Sequence, residues 1–456
     1  MNKTVTFLLL FAASFGFAQG QDTAKYTRAQ VAADISFFIR NAEDIHPNLY
    51  HDISKAGLKS KSDSLVKALP DVLSSLRAYR AFAEATAFVN EGHTGVDIPP
   101  VIKATRKAGT LKLIPLQVTG YESGYFTANL LTAENKVNGI KVTAINGVPS
   151  SQILKQMTNM KGGLMSFRTV FAVNNFRLLL AAIGIEQPYT IDYLANGRKQ
   201  QAAANGISEV DYQAALSKPA IVKSFTFGVI EGKTGYLNFR SMDNYDDFKK
   251  FCDSVFEAID KQHISKLVID LRENSGGNSA LGEYLLNYVT STPFRMAGES
   301  ERRVSQQFKD YLIANKMLYG ESGAYIASQP TGTVLKMGNT ELTKPANVPH
   351  KFKGKVCFLT GPNTFSSANM LAATVKDFKL ATIIGEPTGE PGNDYGELCV
   401  IKLPNTGFTT FTSTTIWVRP NNDKKDINPI YPDKLVKRNQ EANDNVLKYA
   451  VDWLSK

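Results

Sequence analysis

The chain has 456 residues, 43% hydrophobic and 21% charged, enough for two or three globular domains and outside the disordered and fibrous classes. Its formal charge of +10 is scattered in pairs such as Lys249-Lys250 and Lys424-Lys425 with no interleaved aromatics, so it reads as a solvated basic surface suited to anionic surroundings, not a nucleic-acid groove. Three cysteines, Cys252, Cys357 and Cys399, are odd in number and lack metal-ligand spacing, and Cys357 inside an apolar strand reads as a small buried hydrophobe.

The chain opens with MNKTVTFLLLFAASFGFAQG, a lysine followed by an apolar run from Val5 to Phe17 and small residues at Gly16 and Ala18. This pattern predicts a signal peptide over 1–18, cut after Ala18, too short for a comfortable membrane span and without a cysteine for a lipid anchor. Residues 19–100 read as a helical region. Thr27 to Gln30 forms a capping-box pattern ahead of Val31, Ile35, Phe38, Ala42 and Ile45 at helical spacing, and a second amphipathic set, Tyr79, Phe82, Thr86 and Val89, ends at NEGHTG, residues 90–95.

Residues 101–219 change to β-branched and aromatic runs broken by turns, with Asn146-Gly147 as a hairpin signal. The stretch Gly139 to Leu154, GIKVTAINGVPSSQIL, resembles the strand, turn and helix start of a PDZ-like module, a fold that captures peptide ends by strand addition. From 220 onward strands and helices alternate. Strands are predicted at Thr234–Phe239, Lys266–Leu271, Lys355–Thr360 and Ala381–Gly385, and helices at Tyr245–Gln262, Ser279–Val289 and Phe365–Phe378, which implies an α/β layer. A loop or helical excursion from Pro293 to about Pro349 interrupts it, and residues 436–456 are read as a C-terminal helix.

Two motifs carry chemistry. GPNTFSSAN, Gly361 to Asn369, places a serine pair where a strand turns into a helix, and the unpaired amides of a first helical turn can hold an oxyanion. The plainer reading is an N-cap, since serine commonly starts helices. DLRENSGGN, Asp270 to Asn278, puts two glycines at the end of a buried strand, where backbone N–H groups can approach a ligand; the alternative is an ordinary tight turn.

The order YLNF, LVIDLRENSGGN, VCFLTGPNTFSSAN and ATIIGEPTGE across residues 220–435 resembles peptidase family S41, the tail-specific or C-terminal processing proteases. That resemblance implies a ClpP/crotonase-like α/β core with a helical N-terminal region. It puts the nucleophile at Ser366 and the oxyanion hole at the N–H of Ser367 with that of Gly276 or Gly277. The general-base lysine of the family's processing proteases would fall in TGEPG, where this chain has Pro391, and the next lysine is Lys402. A branch similar to the tricorn protease core uses a histidine from the N-terminal part, which fits His93, and an acid near the domain's end, which falls at Asp426; Glu386 and Glu397 are alternatives. An imidazole there can accept and return the serine proton. His46 and His51 flank a helix end and read as structural, and His263 and His350 lie in polar connections.

The expectation is therefore an exported serine endopeptidase acting on polypeptides, with no cofactor and no metal. The alternative is an inactive relative that binds peptides, a reading to which the missing lysine and Asn369, in place of the family's acidic residue, give weight.

Overall fold

The computed structural model describes residues 25–131, 136–216, 222–317, 321–338, 341–439 and 443–456. The expected signal peptide lies outside these residues. Among them no helix is long and apolar enough to cross a membrane.

The chemistry-bearing layer is a six-stranded sheet, ordered Phe225–Ile230, Thr234–Phe239, Lys266–Asp270, Lys355–Thr360, Thr382–Gly385 and Lys434–Leu435. Its first pair is antiparallel and the rest are parallel. Parallel strands need covered faces, and this sheet has them. On one side lie the helices Tyr245–Lys261, Ala280–Val289 and Ser367–Asp377, which share a core containing Phe248, Leu285, Leu371, Ile269 and Phe358. On the other side the C-terminal helix Asn445–Leu454 brings Val446, Ala450 and Leu454 against Val268, Cys357 and Ile384. All three cysteines are buried and unpaired.

A second sheet runs Val334–Gly338, Glu299–Arg303, Thr409–Trp417 and Asp394–Lys402. Two of its strands come from the stretch expected to be a loop or helical excursion, which also holds the helices Gln306–Ala314 and Glu321–Ser328. The strand ESERR was hidden because its buried positions are Ser300 and Arg302, not apolar side chains.

The N-terminal region docks on this second sheet through a two-residue strand. Gly95 and Val96 pair with Phe411 and Thr410. The helix Arg28–Ile45 has the capping box predicted at Thr27, and its buried Asp34 accepts hydrogen bonds from the backbone and side chains of Asn405 and Thr406 in the C-terminal half of the chain. A further helix, Lys55–Ala68, escapes the sequence reading because it buries only Leu58 and Ser62.

The middle sheet holds Leu116–Glu122, Tyr125–Leu131, Lys136–Ile145, Tyr189–Ala195 and Arg198–Ala204, with Val148–Pro149 turning back on Ile145 through the predicted Asn146-Gly147 turn. Both turn residues have positive φ, 49° and 76°, as a tight hairpin of this kind requires. Its buried residues join those of the N-terminal helices and of the second sheet, including Cys399, Ile401 and Phe408, in one continuous core.

Candidate active site

Ser366 ends the turn after the strand Lys355–Thr360 and caps the helix Ser367–Asp377 with φ 53° and ψ −128°. A serine side chain rarely adopts this backbone, which costs on the order of 1–3 kcal/mol and is held only where the surroundings over-determine it. They do here. Phe365 N donates to Asn274 O at 3.1 Å, Gly389 N to Thr364 O at 3.0 Å, and Ser366 N to Oε2 of Glu390 at 2.7 Å. Ser366 makes no side-chain cap bond, so the plain N-cap reading does not describe it.

The glycine turn lies directly beneath. Gly276 has φ 98°, and a Cβ on it would stand 2.7 Å from Ser366 Cβ and 2.9 Å from Ser367 N. Its own N–H is engaged by Asn274 Oδ1 at 2.9 Å. The N–H groups of Gly277 and Ser367 have no protein acceptor among the described residues, while Ser367 Oγ donates to Gly277 O at 2.6 Å. Of the two glycines left open by the sequence, Gly277 is the one with a donor to offer.

His93 reaches this place from the turn ahead of Gly95–Val96. The turn is pinned by Glu91, a buried carboxylate that accepts from His93 N at 2.5 Å, from Ser413 Oγ at 3.1 Å and from Thr94 Oγ1. Thr94 Oγ1 also meets Thr412 Oγ1 of the strand Thr409–Trp417 at 2.9 Å. The His93 ring lies 4.7 Å from that of Phe365, and Phe167 of the middle region stacks on Phe365 at 4.2 Å.

The acid beside the imidazole is Glu390. Its Oε1 is 2.9 Å from His93 Nδ1, an ion-pair distance outside the angular range of a well-aligned hydrogen bond, and its side chain is only 4% exposed. One carboxylate thus touches both the backbone of Ser366 and the ring of His93. Asp426, the acid expected from the sequence, does not occupy this position. It pairs with Arg419 and accepts from Asn428 N and Nδ2, both at 2.9 Å, and Arg419 in turn holds Asp377 at 2.6 Å, at the end of the serine helix. The tail does reach the site region, but through its backbone. Gly392 N donates to Asn428 O at 2.9 Å and Thr388 N to Ile430 O at 3.2 Å, bracing the loop that carries Glu390.

The two alternative acids are also occupied elsewhere. Glu386 accepts from Arg438 N at 3.2 Å, and Glu397 pairs with Arg302. Asn369 donates to Pro391 O at 2.7 Å, so the two departures from the family pattern noted in the sequence are partners that fix the Glu390 loop. Lys402 ends an exposed strand tip opposite Thr409.

Electrostatics follow from these neighbours. Burial works against a charged His93, but the carboxylates of Glu390 and Glu91 outweigh it, with Lys161 opposing them, so its pKa is raised. Burial, followed by the adjacent Glu390 carboxylate, pushes Asp394 well above the usual carboxyl range, so Asp394 keeps its proton and can donate to Glu390. His46, 3.8 Å from Glu91, is lowered to about 4, chiefly by burial, and is neutral near pH 7.

Residues 233–433 match the model of Peptidase family S41. By this match over those residues the chain is a serine-type peptidase. Its fold is that of three solved CPAF structures. Mature CPAF is 14% identical with a TM-score of 0.63, covering 94% of this chain and 96% of that one. A CPAF mutant is 15% identical at 0.66 with the same coverage. Mature CPAF complexed with lactacystin is 14% identical at 0.62, covering 94% and 97%. No curated protein matches the chain in sequence.

Proposed function

We propose that the chain is an exported serine endopeptidase in which Ser366 attacks the peptide carbonyl, His93 is the general base and Glu390 orients it. The observation that carries this reading is the Glu390 carboxylate, which lies 2.7 Å from Ser366 N and 2.9 Å from His93 Nδ1. With Nδ1 2.9 Å from the acid, Nε2 would be left to take the Ser366 proton, which His93 would then return to the leaving amine. Gly277 N–H and Ser367 N–H are the candidate donors to the tetrahedral oxyanion, each worth roughly 3–4 kcal/mol at the transition state. Substrates are polypeptides, and the PDZ-like character of Gly139 to Leu154 supports recognition of a chain end. Export rests on the signal-peptide pattern over residues 1–18.

Labelling with a serine-directed fluorophosphonate tests the reading. Wild type should label and cleave casein, and Ser366→Ala should do neither. Absence of labelling and cleavage in wild type would leave the peptide-binding alternative, which has in its favour only the sequence departures at Pro391 and Asn369.

A further inference from the structure

A lysine from the middle region stands within the same constellation. Lys161 follows the helix Ser150–Thr158 in the turn NMKGG, and its half-buried ammonium lies 3.5 Å from Thr94 O, one residue from His93. Three rings surround it, Phe167, Phe171 and Phe411, each with its centroid 5.8 Å from Nζ. The turn is seated tightly. A Cβ on Gly162 would stand 2.7 Å from Glu91 O, and Gly163 N donates to Asn90 Oδ1 at 3.3 Å.

We infer that Lys161 is a positioning residue for the peptidase reaction, an ammonium held in an aromatic cage beside Thr94 O whose charge is set against the carboxylates of Glu91 and Glu390 at the His93 turn. The groups facing His93 are Glu91 on its own turn, Glu390 on the loop after Thr382–Gly385, and Lys161 from the middle region. Asp394 adds a protonated carboxyl behind Glu390, and His46 a neutral ring behind Glu91. Two buried carboxylates with no cation would keep the imidazole protonated, and a protonated imidazole cannot act as a base. The aromatic cage favours a cation and holds it in place. Lys161 feels the counterpart of the same interactions: its pKa is lowered by burial, with Glu91 and Glu390 opposing only part of that lowering.

This role rests on the proposed function, but its test does not require activity. The imidazole of His93 is titrated by NMR in histidine-labelled Ser366→Ala protein, with Lys161 present or changed to Gln or Arg, and its resonance assigned with His93→Gln. Loss of the charge in Lys161→Gln should raise the His93 pKa, increasing its protonated-to-neutral ratio about tenfold at a fixed pH near neutrality, and Lys161→Arg should leave it near its starting value. An unchanged His93 titration in Lys161→Gln that keeps its wild-type circular dichroism overturns the inference. If Lys161→Gln fails to fold, Lys161→Arg decides alone: a shifted titration there would mean that charge is not what Lys161 supplies. Fluorophosphonate labelling of Ser366 reports separately on the peptidase reading.

Discussion

Glu390 does two jobs with one carboxylate, and amidation separates them. In Glu390→Gln the Ser366 N–H keeps an acceptor, but the attraction that favours a charged His93 is gone. The expected outcome is a fall in kcat/KM of about 10⁴-fold, as when the orienting acid of a triad becomes an amide. The acid limb of the pH profile should also move to lower pH, because burial and Lys161 then act on His93 against Glu91 alone. Asp426→Asn is the contrasting variant. It should cost stability through Arg419 and Asp377 while the acid limb stays where it is.

Ser366 was legible in the sequence because its position follows from local pattern: an apolar strand, a turn and an amphipathic helix put it at a first helical turn. Glu390 was not. In TGEPG it stands beside Pro391, where the missing lysine drew attention, and nothing local says that a turn glutamate will meet an imidazole nearly three hundred positions earlier. Lys161 was silent for the same reason, one lysine among many in a polar helix-to-loop turn.

Among the elements, the turns at 90–95 and 161–163 act as a pair, and backbone contact between them is what delivers His93. Gly162→Ala forces a methyl group to within 2.7 Å of Glu91 O and 2.8 Å of Glu91 N, backbone atoms that cannot swing aside. Expected are a loss of about 1–3 kcal/mol in urea unfolding and of about 10²-fold in kcat/KM, the scale of an ångström's misplacement of a reacting group. Gly228→Ala in the strand Phe225–Ile230 meets nothing within 4 Å and should change stability by less than about 0.5 kcal/mol. If the two variants behave alike, the tight seating of the turns is not what positions His93. The alternating α/β elements were legible to within a residue or two because their apolar periodicity is strong. The second sheet was not, since its strands at 299–303 and 409–417 bury arginine, serine and threonine in place of aliphatics.

For the molecule as a whole, the buried histidines give stability a pH signature. His46 has its pKa depressed from 6.5 to about 4, so the unfolded chain takes up a proton there before the folded one does. Its contribution is complete above pH 6.5 and is lost as pH falls through the window down to about 4, a loss of about 3 kcal/mol. His93, with its pKa raised, acts in the opposite sense: its contribution is complete below the unfolded value and is lost as pH rises through the folded one. Urea midpoints measured between about pH 7 and pH 4 should therefore fall more steeply in wild type than in His46→Gln, where this proton uptake is absent. Parallel curves would show that His46 titrates alike in both states.

The two-residue ladder between Gly95–Val96 and Thr410–Phe411 also sets when the molecule becomes dangerous. On the reading proposed here, the serine has no base until the first and last thirds of the chain have met, a contact of high sequence separation that forms slowly relative to local structure. A newly made or partly unfolded chain would therefore be unarmed beside its own exposed backbone. Hydrolytic power would arrive only with the closed fold, so the order of assembly would itself guard the chain against self-digestion.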